Sequence, residues 1–405
     1  MLAVDVVVIG AGPAGVAAAV HLVRAGREVL LVDKAVFPRD KCCGDGLTAG
    51  ALRSLERLGL DPGAVRSWKP VDDVVVRSPS GHEVVFPLPR GQGTFAAVAR
   101  RVDLDAALVD LARAAGVEVA EGHACEGADV GEDRITLDIS GIGRVAARYA
   151  IAADGMWSPL RKALGAGQPG YLGEWHAFRQ YFRGVGPRAA SELVVWFEPD
   201  LLPGYAWSFP LPDGRANVGF GIQRDGAPTK SMKAQWPELL ARPHIAAFLG
   251  PDAEPESPHK AWPIPARVGD LPLHAAGGRA LFVGDAAAVT DPMTGEGIGQ
   301  ALLTGELAAD AIIHAGALDP TVAAARYDAA VRRELVPDAA LSNLLIRALR
   351  SPLGARGAVR VAGATGWTRR NFARWLFEDY PRAYVATPGR WREHSLTGTG
   401  AWPSR

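Results

Sequence analysis

The sequence predicts an α/β protein with a second β-sheet region inserted into it and a helical C-terminal region. Three observations lead to this class. Near the N-terminus, an apolar run is followed by a glycine-rich turn, a helix-like segment and a second apolar run. Strand-like runs recur in the middle of the chain, at 74–76, 84–86, 194–197 and 218–221. Beyond Tyr327 the pattern is that of helices.

The residue pattern near the N-terminus predicts a strand, a turn and a helix, followed by a second strand. The run from Val4 to Ile9 is apolar apart from Asp5, which is typical of a buried parallel strand. The turn reads Gly10-x-Gly12-x-x-Gly15, and Asp33 ends the second strand 18 residues after Gly15. In this context the glycines allow a tight turn, the approach of a pyrophosphate and close helix–strand packing, while the acid can accept ribose hydroxyls. The unit therefore predicts dinucleotide binding, without indicating which dinucleotide.

Later segments return to the same domain. A helix is predicted at about 103–116, apolar strands precede Asp154-Gly155 and Gly284-Asp285, and a long helix is predicted from about Gly297 to Ala315. We therefore expect a discontinuous nucleotide-binding domain (1–70, 96–168 and 265–325), a β-rich substrate domain (71–95 and 169–264) and a helical C-terminal region (326–405).

Composition excludes several classes of protein. The 405 residues contain 44 basic and 44 acidic side chains, so the whole chain has no net charge that would attract nucleic acid. Three cysteines are too few for a disulfide scaffold and fit a reducing compartment. The nine histidines show no metal-ligand spacing, so we expect no metal site. Because Met1 leads directly into a strand and no apolar run approaches the ~20 residues of a spanning helix, we expect a cytoplasmic protein.

The C-terminal region differs from the rest of the chain in charge. Residues 326–405 contain 14 Arg, no Lys and 6 acidic residues, which gives a net charge of +8. This region also holds four of the eleven tryptophans: Trp367, Trp375, Trp391 and Trp402. One interpretation is a solvated helical tail whose tryptophans pack in the core. The other is a surface that contacts a membrane from one side, because basic and aromatic residues together favour the lipid interface.

The order of the motifs resembles that of the p-hydroxybenzoate-hydroxylase-like flavoproteins. It comprises Arg101-x-x-Leu104-Asp105, Asp154-Gly155, Gly284-Asp285, Asp291-Pro292 and Gly295-x-Gly297. The resemblance implies a Rossmann-like FAD-binding domain of the glutathione-reductase type with an inserted antiparallel β-sheet substrate domain. It implies that the following residues bind FAD: Gly10, Gly12, Ala14, Gly15, Asp33, Lys34, Arg101, Asp154, Gly155, Gly284, Asp285, Pro292, Gly295, Gly297 and Ile298. The N-terminus of the helix after Gly297 would then point at the pyrimidine edge of the flavin.

Three further strings resemble the geranylgeranyl reductase family. They are the segment from Phe37 to Thr48 with its Cys43-Gly44-x-Gly46, the string Tyr205-x-Trp207-x-Phe209-Pro210 followed by Gly219-x-Gly221, and the loop from Asp291 to Gly299. The resemblance extends from Val4 to about Ala315. It implies an FAD enzyme that saturates double bonds of a polyprenyl chain of the geranylgeranyl or menaquinone type, with hydride from reduced flavin and a proton from an acid.

The same resemblance implies catalytic roles for four residues. Tyr205, Trp207 and Phe209 would line an apolar tunnel and stabilise developing positive charge by cation–π attraction. Cys43 would lie near the flavin, as a proton donor or as a small apolar filler. Without the resemblance, the aromatic residues would be interpreted as core residues of a strand.

Two other functions remain open at this point. One is an NAD(P)H-dependent FAD monooxygenase that hydroxylates a small aromatic or natural-product substrate. The other is a flavoprotein without catalytic activity, which carries an isoprenoid or serves as a scaffold. The reductase interpretation implies a lipophilic small-molecule substrate, NAD(P)H or another electron donor, and a reason for the C-terminal region to contact a membrane.

Overall fold

The computed structural model describes residues 2–224, 232–316, 319–391 and 396–403. Parts of the predicted C-terminal region, at 392–395 and 404–405, therefore lie outside the described residues. The strands are β1 Leu2–Ile9, β2 Val29–Asp33, β3 Gly46–Leu47, β4 Lys69–Pro70, β5 Asp73–Arg77, β6 Glu83–Pro87, β7 Ala97–Val98, β8 Glu118–Glu121, β9 Cys125–Val130, β10 Ile135–Ile139, β11 Gly143–Ala152, β12 Trp175–Arg183, β13 Leu193–Trp196, β14 Tyr205–Leu211, β15 Arg215–Gln223, β16 Glu254–Pro255, β17 Lys260–Ile264, β18 His274–Ala275 and β19 Ala280–Phe282. The helices are α1 Pro13–Arg24, α2 Ala49–Leu58, α3 Arg101–Ala114, α4 Pro159–Ala163, α5 Met232–Leu240, α6 Pro243–Leu249, α7 Ile298–Ala315, α8 Pro320–Leu349, α9 Pro352–Ala362 and α10 Gly366–Leu376.

The first sheet has a parallel centre with the strand order β19-β11-β1-β2-β8. Strand β18 extends it at one edge, and the β9–β10 hairpin pairs with the first half of β11. Side chains of β1 and β2 are buried on both faces because helices and loops cover the sheet. Helices α1 and α7 pack closely, and Gly305 makes this contact possible: a Cβ at this position would lie 2.2 Å from the carbonyl oxygen of Ala14.

The second sheet has the order β16-β12-β15-β14-β13-β5-β6, with β17 also paired to β12. Its pairs are antiparallel except β5 with β13, which run parallel. That exception has a topological reason. The chain leaves β5–β6 to build α3 and strands β8 to β11 of the first sheet before it returns as β12 and β13. The predicted domain boundaries themselves stay predictions.

The C-terminal region is helical, as the pattern indicates, and its helices begin at Pro320. Its tryptophans do not share one environment. Trp367 and Trp391 are 67% and 56% exposed, whereas the Trp402 ring packs edge-on against Trp68 at a centroid distance of 5.4 Å. Trp375 is partly buried beside Phe372. No helix within the described residues is long and apolar enough to cross a membrane.

Candidate active site

One cavity of about 690 Å³ brings the predicted site residues together. It is lined by residues of both large sheets and of the C-terminal helices. Every predicted residue lines it except Gly15: Gly10, Gly12, Ala14, Asp33, Lys34, Cys43, Arg101, Asp154, Gly155, Tyr205, Trp207, Phe209, Gly284, Asp285, Pro292, Gly295, Gly297 and Ile298. The cavity has a polar end at the N-terminal turn and an apolar end against the C-terminal helices.

The glycine turn has the geometry that a dinucleotide requires. Gly10 has φ +104°, and a Cβ there would lie 2.3 Å from the carbonyl oxygen of Ala153. A Cβ at Gly15 would lie 1.8 Å from the carbonyl oxygen of Gly10, so Gly15 serves the packing of α1 on the turn rather than the cavity. The N-terminus of α1, with its free N–H groups, faces the cavity behind Gly12.

Two arginines flank this helix N-terminus. The Cβ position of Gly12 is 3.7 Å from an Arg39 amino nitrogen and 4.0 Å from one of Arg101. Both guanidinium groups also donate to the Asp105 carboxylate at 2.7 Å, and Arg101 does so through two nitrogens. Burial alone would raise the pKa of Asp105, but the Arg101 and Arg39 charges hold it below its usual value. The residual positive charge and the α1 N-terminus together fit a pyrophosphate.

The two acids at the strand ends are held differently. Asp33 accepts hydrogen bonds from the backbone N–H groups of Ala11 and Ala35, both at 2.8 Å. Asp154 accepts one from the N–H of Leu160 at 3.1 Å, while its other oxygen is buried without a hydrogen-bond partner within the described part of the chain. Burial raises the pKa of Asp154 to about 6. Asp154 lines the cavity, and its carboxyl group fits a bound group that donates a hydrogen bond.

Asp285 lies in the turn Gly284–Ala287, directly after β19. Its carboxylate forms an ion pair with Lys41 Nζ at 2.8 Å. Burial would raise the pKa of Asp285, but Lys41 and Arg101 lower it below its usual value of 3.8. Asp285 is therefore an ionised hydrogen-bond acceptor beside the cavity, which suits a hydroxyl of a bound dinucleotide.

The loop from Asp291 to Gly297 is fixed by contacts from three directions. Asp291 accepts from the backbone N–H groups of Met293 and Thr294, and from Ser342 Oγ of α8 at 2.7 Å. Arg382 from the C-terminal region lies 3.2 Å from the same carboxylate. Tyr205 of the second sheet donates its hydroxyl hydrogen bond to the Thr294 carbonyl oxygen. The loop is the junction of the parallel sheet, the second sheet and the C-terminal helices.

A buried carboxyl group, that of Glu296, and a partly buried one, that of Glu378, lie beside this loop. Glu296 lines the cavity, and its Oε1 accepts from the N–H of Gly299 at 2.6 Å. Glu378, which follows α10, accepts from Gln300 Nε2 at 2.9 Å and from Arg382 at 3.1 Å. Burial and the neighbouring Glu378 carboxyl raise the pKa of Glu296 to about 8. Burial also raises the pKa of Glu378.

Two aromatic residues of β14 are paired with glycines of the neighbouring strand β15. Trp207 pairs with Gly219 and Tyr205 with Gly221. A Cβ at Gly219 would lie 2.4 Å from the Trp207 ring, so only glycine leaves room for the indole against the sheet. Trp207 Nε1 donates to Asn217 Oδ1 at 3.2 Å, and the ring of Phe209 packs on Gly46. The Tyr-x-Trp-x-Phe string and the Gly-x-Gly string therefore form one structural unit that presents the aromatic rings to the cavity.

Cys43 packs against the hydrophobic core, and its backbone lies in a network of polar side chains. Burial raises the pKa of its thiol, which stays protonated at neutral pH. Its carbonyl oxygen accepts from Asn217 Nδ2 at 2.8 Å. The neighbouring Asp45 has φ +66° and accepts from Tyr181 Oη at 2.7 Å and from Asn217 Nδ2 at 2.8 Å. Burial raises the pKa of Asp45 to about 6, so it is mostly ionised at pH 7. The catalytic role of Cys43 stays a prediction.

Sequence reasoning missed several residues of the site. Arg39 and Lys41 lie within the segment from Phe37 to Thr48, and Glu296 lies within the loop from Asp291 to Gly299. Membership of these two motifs was the signal that could have identified them. Arg382 and Glu378 carry no such signal. The resemblance ends near Ala315, and these residues reach the site only because the C-terminal region folds back onto the loop.

These features fit FAD as the cofactor. The α1 N-terminus with Arg39 and Arg101 would hold the pyrophosphate, Asp33 a ribose, and Asp285 a hydroxyl of the ribityl chain. Gly295, Gly297 and Ile298 line the cavity next to the catalytic candidates of β14, where the flavin ring would lie.

Comparison with known proteins agrees with this assignment. Residues 3–303 match the model of the FAD binding domain family. Menaquinone reductase of Mycobacterium tuberculosis is 35% identical over 334 residues, which is 76% of each chain. Digeranylgeranylglycerophospholipid reductase 1 of Methanopyrus kandleri is 31% identical over 335 residues, or 79% of this chain and 83% of that one.

A solved structure shares the fold over nearly the whole chain. It is that of a geranylgeranyl bacteriochlorophyll reductase-like protein from Thermoplasma acidophilum, with a TM-score of 0.80 and 21% identity, covering 96% of this chain and all of the other. The dinucleotide turn, the FAD-domain match and the reductase relatives agree with one another, and the chain belongs to the geranylgeranyl-reductase-like family of FAD-dependent oxidoreductases.

Proposed function

We propose that the protein saturates a double bond in the polyprenyl chain of a lipophilic substrate of the menaquinone or geranylgeranyl type. The observation that carries this proposal is the continuity of the cavity from the dinucleotide turn to an apolar wall. That wall is built by the second sheet and the C-terminal helices: Val74, Val76, Phe86, Leu193, Val195, Leu345, Leu349, Val359, Phe372, Trp375, Leu376 and Phe377. An apolar chain would be desolvated along this wall, with one double bond beside the flavin.

When bound and reduced, FAD supplies a hydride to one carbon of the double bond. The residues of this chain supply the rest. The Asp291–Gly297 loop, which Arg382 and Tyr205 fix in place, sets the position of the double bond against the cofactor. The rings of Tyr205 and Trp207 present a face to the carbon on which positive charge develops. The C-terminal helices exclude water from the reacting carbons.

The test is a single-turnover experiment with FAD-loaded protein reduced by dithionite under anaerobic conditions. Mixing with a menaquinone or a geranylgeranyl lipid is expected to reoxidise the flavin and to add two hydrogen atoms to the prenyl chain, as measured by mass spectrometry. In a second mixing, the reduced protein meets oxygenated buffer and a small aromatic substrate. Hydroxylation of that substrate, with no change in any prenyl lipid in the anaerobic experiment, would replace this proposal by the monooxygenase.

A matched pair of valine variants tests the apolar wall. Val359 on α9 is buried against the cavity, whereas Val130 on β9 is 53% exposed and does not line it. Val359→Phe fills the cavity and is expected to raise KM for the prenyl lipid with FAD retained, while Val130→Phe is expected to leave KM unchanged. Equal KM values for both variants would show that the prenyl chain binds elsewhere.

The C-terminal helices also support a proposed membrane contact. Between Ala339 and Phe377 the chain has seven arginines and no acidic residue, and Leu353, Val361 and Trp367 are between 67% and 74% exposed. Ala358 is exposed and also lines the cavity, so α9 borders the opening. Exposed apolar side chains with arginines around an opening suit an anionic lipid surface that contains the substrate.

Vesicle flotation tests this contact. The protein is expected to float with vesicles that contain phosphatidylglycerol, and to float less with pure phosphatidylcholine or at high salt. Protein that stays at the bottom of the gradient with both vesicle types would refute the membrane contact without affecting the proposed reaction.

A further inference from the structure

The acid that completes the reaction must be one of the carboxyl groups that line the cavity. These are the carboxyl groups of Asp33, Asp40, Asp45, Asp154, Asp285 and Glu296. Asp40 and Asp285 are paired with cations, which lower the pKa of each against the effect of burial. Asp45 accepts two side-chain hydrogen bonds, as an ionised acceptor would. Asp33 accepts two backbone hydrogen bonds at the dinucleotide turn, and Asp154 lies at the same polar end.

Glu296 differs from these acids in position and in partners. It is the residue between Gly295 and Gly297, beside the Tyr205 hydroxyl and before α7. Its Oε1 accepts from Gly299 N–H, and within the described residues its Oε2 has no hydrogen-bond partner. The side chain is 9% exposed and lines the cavity. One oxygen is thus anchored while the other is available to the cavity.

The charges around Glu296 favour its protonated form. The facing groups are Glu378 and Arg382 from the C-terminal region, Asp291 from the same loop, and the Tyr205 phenol from β14. Three carboxyl groups therefore share the buried Arg382 guanidinium, which lies against Asp291 and Glu378; Asp291 and Glu296 are buried and Glu378 is partly buried. With all three carboxyls ionised, two negative charges would be uncompensated in the interior, which is costly. Burial and Glu378 accordingly raise the pKa of Glu296 to about 8.

We infer that Glu296 is the acid that protonates the substrate during reduction. This inference rests on the proposed function. The hydride from reduced FAD forms a C–H bond at one carbon of the double bond, and the π electron pair forms the second C–H bond with the proton of Glu296. The alkene is reduced, the flavin is oxidised, and Glu296 is left as a carboxylate that regains a proton from water. Glu378 is a positioning residue, because two neighbouring carboxyl groups in one desolvated site disfavour the state in which both are ionised.

The decisive variant is Glu296→Gln, because the amide oxygen still accepts from Gly299 N–H but the side chain has no acidic proton. Prenyl reduction is expected to fall about 100- to 10,000-fold, the range for loss of a general acid, with FAD content unchanged. Glu306→Gln is the matched control: it lies on α7 outside the cavity and pairs with Arg57 at 3.0 Å. If Glu296→Gln reduces the prenyl lipid at a rate within about threefold of the Glu306→Gln rate, the inference is overturned, because loss of a general acid costs far more than this.

A second readout does not depend on turnover. Infrared difference spectroscopy is expected to show the C=O band of a protonated carboxylic acid at pH 7 that is lost on titration through about pH 8 and is absent in Glu296→Gln. In Glu378→Gln the pKa of Glu296 is expected to fall, because a neighbouring negative charge is removed. The C=O band is then expected to disappear at a lower pH than in wild type, and the alkaline limb of the pH–activity profile is expected to shift to lower pH with it. An ionised Glu296 at pH 7 would overturn the inference. If the wild type reduces no prenyl lipid although the band is present, the proposed function fails, and the proton transfer fails with it. If instead Glu296→Gln is as active as the control, only the role of Glu296 is wrong and the proposed function is unaffected.

Discussion

The two ends of the cavity are stabilised in different ways. At the dinucleotide end, three carboxylates have a cation or backbone donors: Asp105 has Arg39 and Arg101, Asp285 has Lys41, and Asp33 has two N–H groups. At the opposite end, aromatic and aliphatic side chains fit against glycines and helices, and Glu296 lies among acids that outnumber their cation. A charged cofactor requires paired charges, whereas an apolar chain requires a wall of complementary shape and an acid that keeps its proton.

The largest expected effect comes from removing a charge at the dinucleotide end. Arg101→Leu leaves the fully buried Asp105 with Arg39 alone, and is expected to lower the free energy of unfolding by about 3–5 kcal/mol. It is also expected to release FAD. Urea denaturation and the flavin absorbance of the purified variant measure the two effects.

The matched control for Arg101 is an exposed pair. Arg183 and Glu254 lie 2.9 Å apart, and both side chains are 64% exposed. Arg183→Leu is expected to change the unfolding free energy by less than about 1 kcal/mol. If both variants lose the same small amount, ion pairing does not hold the dinucleotide end together.

A smaller effect is expected from filling space at the apolar end. Gly219→Ala places a Cβ 2.4 Å from both the Trp207 ring and the Phe178 carbonyl oxygen, so strand or indole must shift. The expected cost is about 1–3 kcal/mol of unfolding free energy, with a change in Trp fluorescence. In Gly221→Ala the nearest atom is the His176 carbonyl oxygen at 3.9 Å, so this control is expected to be neutral. Equal stability of the two variants would show that the indole has room to move.

Parts of the cavity differ in how far the sequence predicts them. The dinucleotide turn follows from local patterns, because Gly10 to Gly15 and Asp33 lie within one strand–turn–helix–strand unit. The ion pair of Lys41 with Asp285 spans 244 residues, and the contact of Arg382 with the Asp291 loop comes from a segment with no recognised motif. Such pairs depend on how separate elements pack, and a local pattern contains no information about that.

The C-terminal helices show the same limit. Their apolar residues are divided between two surfaces: Val359 and Phe372 line the cavity, while Leu353 and Val361 face outward. Two apolar surfaces on short helices blur the periodicity that would identify either one. The sequence therefore predicts helices and positive charge, but not that this region closes the site.

The smallest expected effect, taken per pH unit, concerns the pH dependence of stability. The pKa of Glu296 is raised from 4.5 to about 8, so the folded protein binds this proton more tightly than the unfolded chain does. Its contribution to stability is fully present below pH 4.5 and is lost as the pH rises through about 8, with a slope of about 1 kcal/mol per pH unit between these values. Asp285 has the opposite sign: its pKa lies below 3.8, so its contribution is present above that pH and is lost as the pH falls through the lowered pKa.

Relative to wild type, Glu296→Gln is expected to gain stability steadily from pH 5 to pH 8, whereas Asp285→Asn is expected to differ in slope only in acid. Urea denaturation of the three proteins from about pH 3 to about pH 8 measures both slopes. Parallel curves for wild type and Glu296→Gln would mean that Glu296 is ionised throughout, and that the apolar end treats its carboxyl group no differently from the dinucleotide end.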